Sequence, residues 1–174
     1  MSSTVKTEII SWIKTIILAL VLAGAVNSFL IVNAEVPTGS MENTIMAGDR
    51  ILALRTSYWF DEPQAGDITV FRYPDDETGK TLYVKRIIGT EGAVVEVTDG
   101  EVYVNGIQMT EDYIAETTMG DFGPYIVPED SYFMMGDNRN HSLDSRYWDN
   151  KFVHEDEILG KVVLRYYKGF KWIS

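Results

Sequence analysis

Three stretches hold side chains whose types and spacing could run acyl transfer at a hydroxyl. The first is Gly136-Asp137-Asn138-Arg139-Asn140-His141-Ser142-Leu143-Asp144-Ser145-Arg146, which sets two carboxylates and two guanidinium groups in one turn directly after the apolar run Tyr132 to Met135. Surface loops are polar too, but charges clustered beside an apolar strand suit a buried brace whose members pair with one another. The second is Pro37-Thr38-Gly39-Ser40-Met41, a serine in a proline-led, glycine-flanked loop. The third is Tyr83-Val84-Lys85-Arg86-Ile87-Ile88-Gly89, where two basic residues interrupt an apolar strand pattern. Hydroxyl, base and brace together suggest a serine hydrolase.

A serine in such a loop is usually a turn residue, and it becomes a nucleophile only beside a base. The familiar base is histidine, and the chain has two. His154, within His-Glu-Asp-Glu, reads as part of a solvated acidic turn, whereas His141 lies inside the polar loop and stays a candidate. Lys85 is the other. Neighbouring strand residues face opposite sides, so one of Lys85 and Arg86 points inward. Burial among apolar side chains disfavours an ammonium and lowers its pKa. A fall of roughly 3 pH units, about 4 kcal/mol, would yield a neutral amine near neutral pH. The plain alternative is an edge-strand lysine in solvent.

The elements that must carry these groups follow from the rest of the chain. At 174 residues, 45% hydrophobic and 12% aromatic, there is one modest domain with enough apolar surface for a core. A formal net charge of −11 argues against nucleic acid as a partner, because phosphates would be repelled. There is no cysteine, hence no disulfide and no thiolate metal site, and no metal or cofactor is expected. Residues 15–32 form an apolar run interrupted only by Asn27 and Ser28, long enough to span a bilayer. Lys6 and Lys14 precede it and Glu35 and Glu42 follow, which places residues 1–14 in the cytoplasm and 33–174 outside. The alternative is a cleaved secretory signal, with Val32-Asn33-Ala34 as the small-residue site; the run is longer than such signals usually are.

Beyond the run the pattern turns to short strands at Arg50 to Leu54, Asp67 to Arg72, Leu82 to Ile88, Ala93 to Thr98, Glu101 to Val104, Tyr132 to Met135 and Lys161 to Tyr167. Asp99-Gly100 and Asn105-Gly106 are hairpin turns, so the domain reads as mostly antiparallel β. Asp75 to Gly79 reads as a solvated hairpin tip, and Glu111 to Asp130 as an exposed stretch within an insert spanning about 93–131. From Ile158 to Ser174, Lys161, Arg165, Lys168 and Lys171 mix with Tyr166, Tyr167, Phe170 and Trp172, which suits either a lipid headgroup region or a terminal strand joining the core. Ser40 follows Val32 by eight residues and stays within roughly 26 to 29 Å of it, hence near the membrane.

Ser40-Met41 after Pro37-Thr38-Gly39, Gly48-Asp49-Arg50-Ile51, Gly66-Asp67-Ile68, the Tyr83 to Gly89 stretch and the Gly136 to Arg146 loop, in that order, resemble type I signal peptidases. These are membrane-bound serine/lysine proteases, and the resemblance runs from the anchor to about Gly160. It implies a transmembrane helix followed by an antiparallel β catalytic domain of the signal peptidase and repressor-autoprotease type, carrying a small inserted β subdomain. It implies Ser40 as nucleophile, Lys85 as general base, Ser142 orienting the amine, Thr38 assisting an oxyanion hole with the Ser40 backbone N–H, and Asp144 with Arg146 bracing the loop; Asp137 and Arg139 belong to the same brace by the charge clustering above. Its substrates would be secretory preproteins bearing signal peptides, cut after a small residue in Ala-x-Ala at the plasma membrane, with Met41 and Ile51 as candidate pocket walls. Two positions depart from the pattern: Asn43 stands where the family usually has proline, and Glu91-Gly92-Ala93 where it often has Pro-Gly-Asp. Length, one span and a small insert resemble the form common in Gram-positive bacteria. The rivals are a self-cleaving repressor-type protease and a catalytically silent, membrane-anchored binding domain.

Overall fold

A computed structural model describes residues 3–167 and 169–173, with the side chains of residues 3–6 outside the description. Lys6 and Lys168, counted above in the charge bias and the basic tail, therefore lie outside the described side chains. Among the described residues a single long helix, α1 (Ser3–Phe29), comes first, and short strands, turns and three short 3-10 helices follow. In order these are β1 (Ile31–Glu35), β2 (Arg50–Leu54), β3 (Ile68–Arg72) and β4 (Leu82–Gly89). Then come β5 (Val94–Thr98), β6 (Glu101–Val104), β7 (Ile107–Gln108), β8 (Phe122–Ile126) and β9 (Ser131–Met135). The last are β10 (Val153–His154), β11 (Ile158–Arg165) and β12 (Lys171–Trp172).

Within α1, Thr7–Phe29 is long and apolar enough to cross a membrane and is exposed along its whole length. Its 23 residues rise about 35 Å, somewhat more than a hydrocarbon core. The apolar run of the sequence extends to Val32, but the helix stops at Phe29 and Ile31 to Glu35 pair with β2, so that Val32 is buried in the core. Composition hides this boundary: Ile31 and Val32 are as apolar as the helix, and β-branched residues fit a pleated sheet. Val32-Asn33-Ala34 is thereby strand, opposite Ala53, Leu52 and Ile51.

All seven strands expected from the sequence form. β1, β7, β8, β10 and β12 go beyond them, for reasons visible in each. β7, β10 and β12 are two residues long, and β8 contains Pro124, tolerable because β8 pairs only with β5 at a sheet edge. One sheet runs β1-β2-β11-β3-β4-β9-β10, with β12 added to β11, and a second, four-stranded sheet runs β7-β6-β5-β8. Everything is antiparallel. The two expected hairpin turns have positive φ at both central residues, 52° and 85° at Asp99-Gly100 and 53° and 76° at Asn105-Gly106, as the right-handed twist of two-residue hairpins demands.

The core has three parts. One holds Val36, Met41, Ile45, Ile51, Ala53, Val70 and Val162 under the first strands. The second, with Ile88, Val95, Val97, Phe133 and Met135, joins the small sheet to the large one. The third packs Phe71, Ile87, Met134 and Trp148. In the tail, Ile173 enters the core while Phe170 and Trp172 stay exposed, so the aromatic side chains there do not join it. The Asp75 to Gly79 tip is less independent than it reads: Asp75 accepts from the backbone N–H groups of Asp149 and Asn150, tying the hairpin to the chain after the polar loop.

Candidate active site

Ser40 lies in a loop, residues 36–49, whose ends are clamped to each other. Val36 N donates to Asp49 O at 2.9 Å and Gly48 N to Val36 O at 2.7 Å, while Met41 and Ile45 are fully buried and pin the loop from beneath. The Gly48-Asp49-Arg50 motif thus closes the loop: Asp49 Oδ2 accepts from Met46 N and pairs with Arg165. Asn43 has φ +81°, a left-handed conformation that proline cannot adopt and that asparagine tolerates.

Lys85 comes from the half of β4 that β9 leaves free. β3 pairs with β4 from Leu82 to Arg86, but β9 meets only Arg86, Ile87 and Gly89. Into the open flank reaches the Ser40 loop. Lys85 Nζ is 2.6 Å from Ser40 Oγ and 3.2 Å from Val84 O, with Ser40 7% and Lys85 4% exposed. Burial pulls the lysine pKa from 10.5 down to about 8; the carboxylates of Asp144 and Asp137 oppose that fall and Arg146 adds to it. Lys85, not His141, is the side chain whose nitrogen lies within hydrogen-bond reach of Ser40. His141 is exposed on the rim of the same cleft, and His154 is exposed, is not among its lining residues and accepts from Asp156 N. Contrary to the simple alternation argument, both neighbours on β4 are buried, because Arg86 on the opposite face meets Asp137.

The polar loop braces this pair, though only half of it is self-paired as the sequence suggested. Asp144 and Arg146 do bond each other, through Nε to Oδ1 and Nη2 to Oδ2 at 2.8 Å each, both wholly buried. Asp137 instead takes a bidentate pair from Arg86, at 2.9 and 2.7 Å, and a hydroxyl bond from Thr44. Arg139 takes Glu111, at 2.7 and 2.6 Å. Glu111 to Asp130 is accordingly not simply an exposed stretch: the Glu111 side chain is 4% exposed, and Phe122 and Tyr125 pack on the second core cluster. Partners 28 and 51 residues away leave no periodic trace in a sequence.

Asn138 ties the brace to the Ser40 loop, its backbone N–H to Ser40 O at 3.1 Å and its amide to Gly39 O at 3.0 Å. Thr38 Oγ1 is 3.4 Å from Ser40 Oγ. Ser142 Oγ is buried and has no hydrogen-bond partner among the described residues, so the expected bond to Lys85 is not formed in this state. Gly136, part of the motif but without an assigned role, has a steric one. A methyl group there would overlap Ser142 Oγ and the Ser40 carbonyl oxygen. Gly136→Ala is expected to lower the rate of any Ser40 chemistry at least tenfold and to cost about 1–3 kcal/mol of stability, as overpacking does. A wild-type rate with an unchanged melting midpoint would refute that role.

The cleft over the pair has a volume of about 360 Å³ and is lined by the Ala34 to Thr38 lead-in, Val70, Leu82 to Lys85, and His141 with Leu143. Met41 and Ile51, expected as wall residues, lie fully buried in the first core cluster and are not among the lining; Val36, Val70 and Val84 are. Among the described residues no cluster of metal ligands occurs.

The model of the family described as signal peptidase, peptidase S26, matches residues 9–167. The chain is 39% identical over 157 residues to the probable signal peptidase I-2 of Synechocystis sp., an alignment covering 88% of this chain and 71% of that one. It is 37% identical over 155 residues to the signal peptidase I of Bacillus licheniformis, covering 83% and 82%. A crystal structure of a signal peptidase I from Enterococcus faecalis V583 superposes with a TM-score of 0.50 at 34% identity, over 58% of this chain and 97% of that one. With the family match running through both Ser40 and Lys85, this chain belongs to the signal peptidase family, peptidase S26.

Proposed function

We propose that the chain is a membrane-bound serine endopeptidase that removes signal peptides from secretory preproteins, with Ser40 as nucleophile and Lys85 as general base. The observation that carries the reading is the buried contact of 2.6 Å between Lys85 Nζ and Ser40 Oγ, with a lysine pKa near 8. Neutral Lys85 takes the Ser40 proton as Oγ attacks the scissile carbonyl carbon, and delivers it to the leaving amine. The acyl-enzyme is then hydrolysed by a water that the same amine deprotonates. The Ser40 backbone N–H and the Thr38 hydroxyl are the donors for the oxyanion, each worth roughly 3 to 4 kcal/mol of barrier. The otherwise unpartnered Ser142 hydroxyl orients the amine during the cycle.

The free flank of β4 at Leu82 to Lys85 supports binding of the substrate as an added extended strand, whose backbone would pair there. Valines at 36, 70 and 84 leave room for small side chains, which favours Ala-x-Ala before the cut. Thr7–Phe29 would anchor the enzyme once through the plasma membrane, residues 33–174 outside, holding the cleft near the apolar part of the substrate. The test is cleavage, in detergent, of a preprotein with an Ala-x-Ala site against one with phenylalanine in place of the last alanine. Cutting of the first at that bond and not the second is expected. Equal cutting of both, or of neither by folded enzyme, would overturn the substrate assignment.

A further inference from the structure

Between β7 and β8 the chain leaves the small sheet and crosses behind the polar loop. Met109 packs on the second core cluster, and the Glu111 carboxylate, buried, takes both terminal nitrogens of Arg139. Two residues on, Tyr113 donates its hydroxyl to Glu111 Oε1 at 2.7 Å and lays its ring over the Arg86 guanidinium, 3.8 Å from centroid to carbon. The carbonyl of Tyr113 meets the Asn43 amide at 3.5 Å. Further along, Asn140 accepts from Met119 N at 2.8 Å and donates to Thr117 O at 3.0 Å. A segment outside every motif of the site is thus fastened to the Ser40 loop, the Lys85 strand and the polar loop at once.

The charges explain what this contact does. Arg86 and Arg139 are both buried, and Asp137 neutralises only Arg86. An unpaired buried guanidinium is costly, so Glu111 completes a neutral set of two cations and two anions. Burial works against the Arg139 charge, and the bonds and charge of Glu111, with Tyr113 and Asp137, more than reverse that. The Tyr113 ring closes the open face of Arg86, where a cation over an aromatic face is attracted to it and its plane is fixed against Asp137. Asp137 in turn holds Thr44, four residues after Ser40, and Arg86 is the neighbour of Lys85.

We propose that Glu111 and Tyr113 are positioning residues, a strap from the inserted subdomain that holds the Arg86, Asp137 and Arg139 network in the one arrangement that keeps Lys85 against Ser40. This rests on the serine/lysine reading above. It makes the insert a working part of the site.

The experiment compares Glu111→Gln, Tyr113→Ala and Tyr113→Phe with wild type in detergent. Turnover of an Ala-x-Ala precursor is normalised to the sites titrated by a serine-acylating inhibitor, and amide hydrogen exchange is followed at Ile45 and Asn138, whose N–H groups bond Met41 O and Ser40 O. Glu111→Gln and Tyr113→Ala are expected to lose about tenfold in kcat per titrated site with KM within twofold, and to exchange at least tenfold faster at both amides. Tyr113→Phe, which keeps the ring over Arg86, should stay within threefold in kcat. If Tyr113→Ala does not fold, Tyr113→Leu carries the same comparison. Wild-type kcat per titrated site, or a loss confined to KM, overturns the strap. If wild type neither cleaves nor is titrated by the serine-acylating inhibitor, the serine/lysine reading falls instead, and the exchange comparison then decides the strap alone: unchanged protection refutes it, faster exchange supports it.

Discussion

Lys85→Ala and Ser40→Ala are each expected to leave a folded protein with no measurable processing, a loss of at least about 10³ in kcat. General base catalysis contributes roughly 10² to 10⁴, and a hydroxyl without its base is a poor nucleophile. The lysine must also be neutral to act, so wild-type kcat/KM should rise tenfold per pH unit below about 8 and level off above it. Stability has its own sign. Folding lowers this pKa from 10.5 to about 8, which disfavours the charged form by about 3 kcal/mol. That penalty is present in full below pH 8, shrinks as the pH rises from 8, and is gone above 10.5. Lys85→Met, similar in shape and uncharged, should therefore be inactive yet melt at a higher temperature than wild type at pH 7. Processing retained by Lys85→Ala, or an acid limb centred near pH 6 where a histidine titrates, would remove the lysine from the mechanism.

Asp144→Ala should be the most destabilising single change in the site, by about 3–5 kcal/mol. Its carboxylate takes Arg146 through two bonds of 2.8 Å and Gly136 N at 3.0 Å, with neither partner exposed to water. Removing it strands a buried guanidinium and a backbone N–H, and that uncompensated charge sets the cost. The result differs if the charge is removed along with its partner: Asp144→Leu with Arg146→Met should recover much of the stability, because an apolar pair of similar volume is often as stable as a buried ion pair. Activity should not recover with it, since the loop that holds Ser142 and Gly136 loses its hydrogen bonds. A melting midpoint for Asp144→Ala within a degree or two of wild type would show that the brace carries no such load.

The candidate residues Ser40 and Lys85, the charged loop and most of the strands were legible in the sequence. A serine after Pro37-Thr38-Gly39, a lysine inside an apolar strand and a loop of paired charges are local patterns, and period-2 alternation with Asp-Gly and Asn-Gly turns is local too. Contacts across long separations were not legible there. That Lys85 rather than His141 lies against Ser40 depends on a 2.6 Å contact spanning 45 residues. Which anion serves which arginine depends on partners 28 and 51 residues off, so a loop that reads as self-paired shares its charges with β4 and the insert. The end of the helix at Phe29 was decided the same way, because Ile31 and Val32 leave it to join β2 and gain hydrogen-bonded partners that apolar composition does not encode.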